Sequence, residues 1–368
     1  MEALVQRSYA CMMLSDSLRV LGAQEMDRMT WEFSPAKDSF ANIAEEWDAI
    51  NRSCHNHVLL DSRFVSASLR WLATTEILLG VQKNSPSGGA ALLTKTGMGR
   101  WQTFQPAQTP LGFIVVRPNG DPQGTLIGLL HALPGLALQL GILQQDPDFS
   151  SLLKIPSSDQ VELLEYIRTP RLQLAATFEE YWNGRSKNLK HNLSRQRKRL
   201  AEQGRPLELV SLRTADAIAE GIREYGRLES QGWKGQAGTA VEENNGQGRF
   251  YREVFENFCV TGEAVIYQLL LDGKVVASDL CLKRNNMLVV LKTAYDESIE
   301  HVSAALLMRQ DIVRQLYEEG MVQDVEFYGR ALDWHLKWTD QVRTMYHLNC
   351  FRNRWIASFR NRVKKRST

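Results

Sequence analysis

Between residues 264 and 295 three apolar runs follow one another with only short polar junctions. Ala264–Leu271 and Lys274–Leu282 flank Asp272-Gly273, and Asn285-Asn286 turns the chain into Met287–Tyr295. Asp-Gly between apolar runs is a strong hairpin signal, because both central positions must adopt positive φ. Three consecutive antiparallel strands are therefore the fixed point for reading the rest. Downstream, a helix is expected from about Val302 to Glu319, ending at Gly320, a residue suited to a C-terminal cap. Strands are expected at Val322–Tyr328 and Arg343–Phe351. Upstream, Pro206–Arg213 reads as a strand, Ala215–Ser230 as an amphipathic helix and Gly248–Cys259 as a second helix.

The first half shows a similar order less legibly. Ile43, Trp47 and Ile50 recur at helical spacing across Phe40–Asn51. Strand-like runs follow at Ile77–Gln82, Ala90–Thr96 and Leu111–Val116, punctuated by Ser85-Pro86-Ser87-Gly88-Gly89, Pro106 and Pro110. A short helix before Pro134 and a strand at Leu136–Leu143 complete it. The expected division is a loosely ordered segment 1–25, a first domain 26–180, a linking helix 181–205 and a second domain 206–368.

The chain of 368 residues is long enough for two domains, and 43% hydrophobic with 23% charged residues is ordinary globular composition. Its five cysteines (Cys11, Cys54, Cys259, Cys281, Cys350) are dispersed without a CxxC pair, which favours reduced thiols over a disulfide framework or a zinc site. No metal is expected. The start lacks the basic and apolar regions of a signal peptide. The apolar stretch Leu126–Leu143 is broken by Pro134-Gly135, so a soluble, cytoplasmic protein without a transmembrane segment is expected.

The order strand, two helices, three antiparallel strands, helix, strand, strand over Pro206–Phe351 resembles the GNAT acyltransferase fold. The weaker repetition of that order in the first half resembles the tandem arrangement of Fem-type aminoacyltransferases and CelD-like acetyltransferases. The fold class is therefore expected to be α/β (α+β), with two tandem GNAT-like units and mixed, largely antiparallel sheets. The segment Val325–Thr339 contains Phe327, Tyr328, Gly329, Lys337 and Trp338, the strand end, glycine turn and lysine-tryptophan pair of the CelD-like and Fem-like pattern. Glu326-Phe327-Tyr328-Gly329 stands where Fem-type members have an aspartate-phenylalanine-glycine run, which points to the CelD-like branch.

The resemblance implies a donor site where the strand Met287–Tyr295 splays from its neighbour. Backbone amides near Leu291 and Thr293 would face the acyl carbonyl, and the helix start at Val302, Ser303, Ala304 and Ala305 would receive the coenzyme A pyrophosphate. The family's arginine- or glutamine-led glycine signature is replaced by Glu300-His301-Val302-Ser303-Ala304-Ala305. Without a donor, the same stretch serves as a capped core helix. For the proton transfers, Glu326, Asp333, Asp296 and Asp279 are candidate bases, and Tyr295 or Tyr328 could reprotonate the thiolate. No Ser/His/Asp spacing suggests an acyl-enzyme, so direct transfer is the simpler mechanism.

Acceptor-side candidates are Trp233 and Lys234, in Ser230-Gln231-Gly232-Trp233-Lys234, which resembles the CelD-like and Fem-like entry to the acceptor loop, and Lys337. Arg185–Arg199 holds seven Lys or Arg and no acid, with Leu189, Leu193 and Leu200 near helical spacing. Arg185, Lys190, Arg195 and Arg199 are expected along the interdomain cleft, attracting phosphates of a carrier, a sugar nucleotide or tRNA. The tail Arg360–Arg366 is a second basic cluster.

The function these features suggest is an acetyl-CoA-dependent N- or O-acyltransferase with a small-molecule or carbohydrate acceptor, in bacterial exopolysaccharide, cellulose or cell-envelope synthesis. The alternatives are a Fem-like transferase using aminoacyl-tRNA and a non-catalytic scaffold of a polysaccharide synthase complex.

Overall fold

The computed structural model describes residues 30–83, 88–118, 121–231, 241–242 and 244–355. The first half runs β1 (Thr30–Pro35), α1 (Ala36–Cys54), α2 (Ser62–Leu72), β2 (Leu78–Lys83), β3 (Gly89–Gly97), β4 (Arg100–Thr103), β5 (Ile114–Val116), α3 (Pro122–Ala132), β6 (Gln139–Gln145) and β7 (Val161–Gln173). Two helices, α4 (Phe178–Asn183) and α5 (Lys187–Glu202), lead into the second half. It runs β8 (Leu207–Leu212), α6 (Ala215–Gln231), α7 (Gly246–Cys259), β9 (Ala264–Leu271), β10 (Lys274–Arg284), β11 (Met287–Tyr295), α8 (Ala304–Glu319), β12 (Asp324–Glu326), α9 (Asp333–Leu336) and β13 (Val342–Phe351).

The turns that anchored the reading form as expected. Asp272 and Gly273 have φ of 54° and 75°, Asn285 and Asn286 of 50° and 62°, and Gly320 caps α8 at 66°. Other boundaries move. The strand expected at Val322–Tyr328 is only Asp324–Glu326, leaving Phe327 and Tyr328 beyond its end, and Val302 lies outside α8, whose N-cap is Ser303. Leu111–Val116 pairs only over Ile114–Val116, and the strand begun at Leu136 starts at Gln139.

All strands join one sheet in the order β1-β2-β3-β4-β6-β13-β7-β12-β11-β10-β9-β8, with β5 paired to β3. The order is palindromic about the β13–β7 pair: moving outward, each side presents the same succession of elements. Each half contains one short parallel pair, Arg100–Gln102 with Gln139–Gly141 and Met287–Val289 with Asp324–Glu326, within otherwise antiparallel pairing. This is the tandem, largely antiparallel GNAT-like architecture. The halves also exchange strands. β13, expected to complete the second unit, lies between β6 and β7, while β7 of the first half pairs with β12.

One face of the sheet is covered by α1, α2, α6 and α7, whose apolar sides share a core including Trp47, Phe64, Tyr225, Phe250 and Phe255. The rings of Phe64 and Phe250 meet edge-on at 5.4 Å, joining the halves through α2 and α7. The opposite face carries α3 over the first half and α5 with α8 over the second. Among the described residues no helix is long and apolar enough to cross a membrane.

Candidate functional site

β11 is hydrogen-bonded to β10 along its whole length but to β12 only at Met287–Val289. Beyond Val289 the two neighbours diverge, and the backbone of β11 on that side has no strand partner. The register between β10 and β11 also shifts here: Cys281 faces Val290 and Leu280 faces Lys292, leaving Leu291 as the extra residue. A bulge re-aims the backbone and side chains next to it. Leu291 and Thr293 thus stand on the free edge of a split in the sheet.

The N-terminus of α8 closes one end of this split. The first amides of a helix have no intrahelical partner and carry the positive end of its dipole. No acid lies in the first turn of α8, where Ser303, Ala304 and Ala305 stand. The corresponding helix of the first half differs. α3 begins at Pro122, which has no N–H, and the Asp121 carboxylate lies against Gly124. An anion there would meet negative charge. Of these two corresponding helices, α8 is the one whose start is free of acid.

The basic helix α5 packs beside that N-terminus. Gln196 Oε1 accepts the Ser303 N–H at 2.7 Å, and Arg199 donates to the His301 carbonyl at 2.6 Å. This places α5 on the α8 face of the sheet, over the second half. The apolar stripe Leu189, Leu193 and Leu200 fixes that choice by packing into the α8-side core. Arg197 is tied to Asp311 at 2.6 Å and Arg185 lies 3.5 Å from Asp340, while Arg195 is exposed.

On the α8 side of the split, Thr293 Oγ1 donates to Asp279 at 2.6 Å, and Arg309 Nη2 lies 2.7 Å from the other Asp279 oxygen. Both charged side chains are buried. Burial pushes the Asp279 carboxyl up, against the pull of Arg309 and Thr293. The Arg309 guanidinium lies 5.2 Å over the Phe327 ring, so it spans from β11 to the segment leaving β12.

Glu326 and Tyr328 enter a second network at the pseudo-twofold junction. Glu326 is fully buried, with one oxygen 2.6 Å from Arg171 Nε and the other 2.8 Å from Arg343 Nη2. Burial raises its pKa to about 7, the two arginines opposing. Arg343 also holds Asp146 at 3.0 Å. Leu59 N–H donates to His57 Nδ1, which puts the ring proton on Nε2, 2.8 Å from the Tyr328 hydroxyl. Burial lowers His57 to about 4. Tyr328 takes φ of 50°, so the left-handed turn falls on it and not on Gly329. In this arrangement Glu326 and Tyr328 serve each other's neighbours and are sealed from solvent.

The remaining predicted residues are dispersed. Tyr295 is 45% exposed at the open end of β11. Asp333 and Lys337 are exposed at the two ends of α9, which borders the split through Trp334 and His335 packed on Phe327. Trp338 is fully buried, stacked on Trp182 at 6.2 Å, as a core anchor. Asp296 caps Ser298 N at 2.9 Å. Trp233, Lys234 and Arg360–Arg366 lie outside the described residues. Among the described residues no group of His, Cys, Asp and Glu could hold a metal ion.

The sequence reading missed Lys292 and Glu229. Lys292 Nζ lies 3.0 Å from Glu229 Oε1, which also accepts the Tyr225 hydroxyl at 3.1 Å, while Oε2 accepts Val241 N–H at 2.7 Å. This pair, of a buried carboxylate and a half-buried lysine, ties β11, one residue past its bulge, to the end of α6. A lysine interrupting an otherwise apolar strand was the available signal.

Residues 187–336 match the model of an acetyltransferase (GNAT) domain. No curated protein matches the chain in sequence. Among solved structures, L-PGS from Bacillus licheniformis is similar at a TM-score of 0.53 and 13% identity, over 84% of this chain and 92% of that one. The C-terminal domain of a putative lysylphosphatidylglycerol synthetase from Agrobacterium fabrum is similar at 0.54 and 14%, over 85% and 92%. FemX is similar at 0.53 and 11%, over 86% and 98%. At these identities the likeness is one of fold, and it spans both halves.

Proposed function

We propose that the protein is an acyltransferase whose donor lies in the β11–β12 split with its phosphates at the N-terminus of α8. The observation that carries this reading is the pairing of β11 with β12 over three residues followed by divergence beside an acid-free helix start. Acetyl-CoA is the donor this site fits by default. Val302, Ser303, Ala304 and Ala305 bound the phosphate end, and Leu291 and Thr293 the arm and acyl end. The acceptor is a sugar or another small carbohydrate precursor, with Lys337 on its side, and the setting is cytoplasmic synthesis of a cell-surface polysaccharide.

Transfer proceeds by direct attack of the acceptor nitrogen or oxygen on the thioester carbonyl. The acceptor loses a proton as the new bond forms, and the thiolate leaves with the electron pair of the broken carbon–sulfur bond. Asp333, an exposed carboxylate at the start of α9 beside the split, takes the base role, while Tyr295 at the open strand end returns a proton to sulfur. Glu326 and Tyr328, buried at the junction, support the site by fixing the end of β12. Release of free thiol from acetyl-CoA, followed over a panel of amino-sugar acceptors, tests the reading. Turnover lost in Ser303→Trp supports it, and acceptor-dependent turnover unaffected by that change removes the site from the account.

A second reading, with aminoacyl-tRNA as donor, draws on the fold likeness to FemX and to lysylphosphatidylglycerol synthetases across both halves. The basic residues Arg195 and Arg199 on α5 would then meet the nucleic acid. Transfer of a labelled amino acid from charged tRNA to an acceptor, in place of thiol release, favours this reading.

A further inference from the structure

Arg309 is 2% exposed, yet its Nε and Nη1 have no hydrogen-bond partner. Leaving buried donors unpaired carries a desolvation penalty, larger for a charged group than for a neutral one. The geometry fixes where these donors stand. Nη2 is taken up by Asp279 at 2.7 Å and Thr293 Oγ1 at 3.3 Å, on the β11 side. The guanidinium then reaches toward Phe327, where the chain leaves β12. Arg309 therefore bridges the split on the α8 side, between the free edge of β11 and the far wall. It sits on the second turn of α8, inward from the N-terminus assigned to the phosphates.

We infer that Arg309 binds the pantetheine arm of the donor, its free guanidinium N–H groups donating to an amide carbonyl oxygen as the arm passes from the α8 N-terminus toward the Leu291 bulge. Thr293 and Asp279 are positioning residues that hold the guanidinium across the split. The arm supplies neutral carbonyl acceptors, which suits a cation whose charge is already matched by Asp279. This inference rests on the donor-site reading above and narrows the donor to thioesters on a phosphopantetheine arm.

Calorimetric titration with coenzyme A and with adenosine 3′,5′-bisphosphate, which has no arm, separates the two ideas. Arg309→Lys keeps the charge opposite Asp279 while removing the guanidinium fork. The pair Arg309→Met with Asp279→Asn removes both charges, so that neither is left buried alone. Thermal unfolding establishes that each variant is folded. The expected result is a loss of coenzyme A affinity of about tenfold or more in both variants, with bisphosphate affinity unchanged. Unchanged coenzyme A affinity, or equal loss for both ligands, overturns the assignment of Arg309 and leaves the donor site standing. Wild-type protein that binds neither ligand overturns the donor-site reading and this inference with it.

Discussion

Gln196 and Ser303 are joined by two hydrogen bonds, the Ser303 N–H to Gln196 Oε1 at 2.7 Å and Gln196 Nε2 to Ser303 Oγ at 3.2 Å. A side chain from α5 thereby caps the start of α8, where Ser303 forms no side-chain cap of its own. It also fixes the turn in which His301 takes φ of 60°. Replacing Gln196 by Ala should cost about 1 kcal/mol, as loss of a helix cap does, read as a lower midpoint in urea at constant slope. No change in midpoint would mean that the α8 start holds its shape without α5.

Half-buried Lys292 and buried Glu229 form an ion pair on the opposite face of β11. Lys292→Met should destabilise the protein by about 2 kcal/mol, because Glu229 loses the charge-assisted hydrogen bonds from Lys292 Nζ. Combining it with Glu229→Gln should recover part of that loss. A double-mutant cycle in urea measures the coupling, and additive losses would contradict the pairing.

The junction network predicts two opposite dependences on pH. The folded-state pKa of Glu326 is raised to about 7 from 4.5, so its contribution is fully present below 4.5 and is lost as pH rises through 7. His57 is lowered to about 4 from 6.5, so its contribution is present above 6.5 and is lost as pH falls through 4. Glu326→Gln should flatten the alkaline side of a stability profile and His57→Gln the acid side. Thermal midpoints between pH 4 and 8 measure both, and profiles parallel to wild type would show that neither group titrates in this window.

Strand exchange makes the halves interdependent. Truncation after Gln341 removes β13 and leaves β6 and β7 as unpaired edges in the middle of the sheet. The truncated protein should be insoluble or lack cooperative unfolding, although the segment 187–336 that matches the acetyltransferase model is intact. A soluble, cooperatively folding truncation would show that the sheet does not need its central strand.

What the sequence revealed follows from how local each signal is. β9, β10 and β11 were legible because Asp272-Gly273 and Asn285-Asn286 specify tight turns within a few residues. β7 was not, although it is the longest strand described: Val161–Gln173 mixes Glu162, Glu165, Arg168 and Pro170 with apolar residues, and its middle is partly exposed. Its place is set by pairing with β13, far away in the chain. α2 likewise carries Arg63 and Arg70 among its apolar positions and is defined by its docking on α7. The β11–β12 split and the start of α8 could be located, since strand, helix and capping residues adjoin in sequence. The networks of Arg171, Arg343, Asp146 and His57, and the Lys292–Glu229 pair, assemble across separations that no local pattern reports.

The most direct test of the central claim is calorimetric titration of the protein with acetyl-CoA, beside Ser303→Trp, which fills the space in front of the first amides of α8. Saturable binding to the wild type and its loss in the folded variant are the expected results. Absence of binding to the wild type, or equal binding to both, would contradict a donor site at the start of α8.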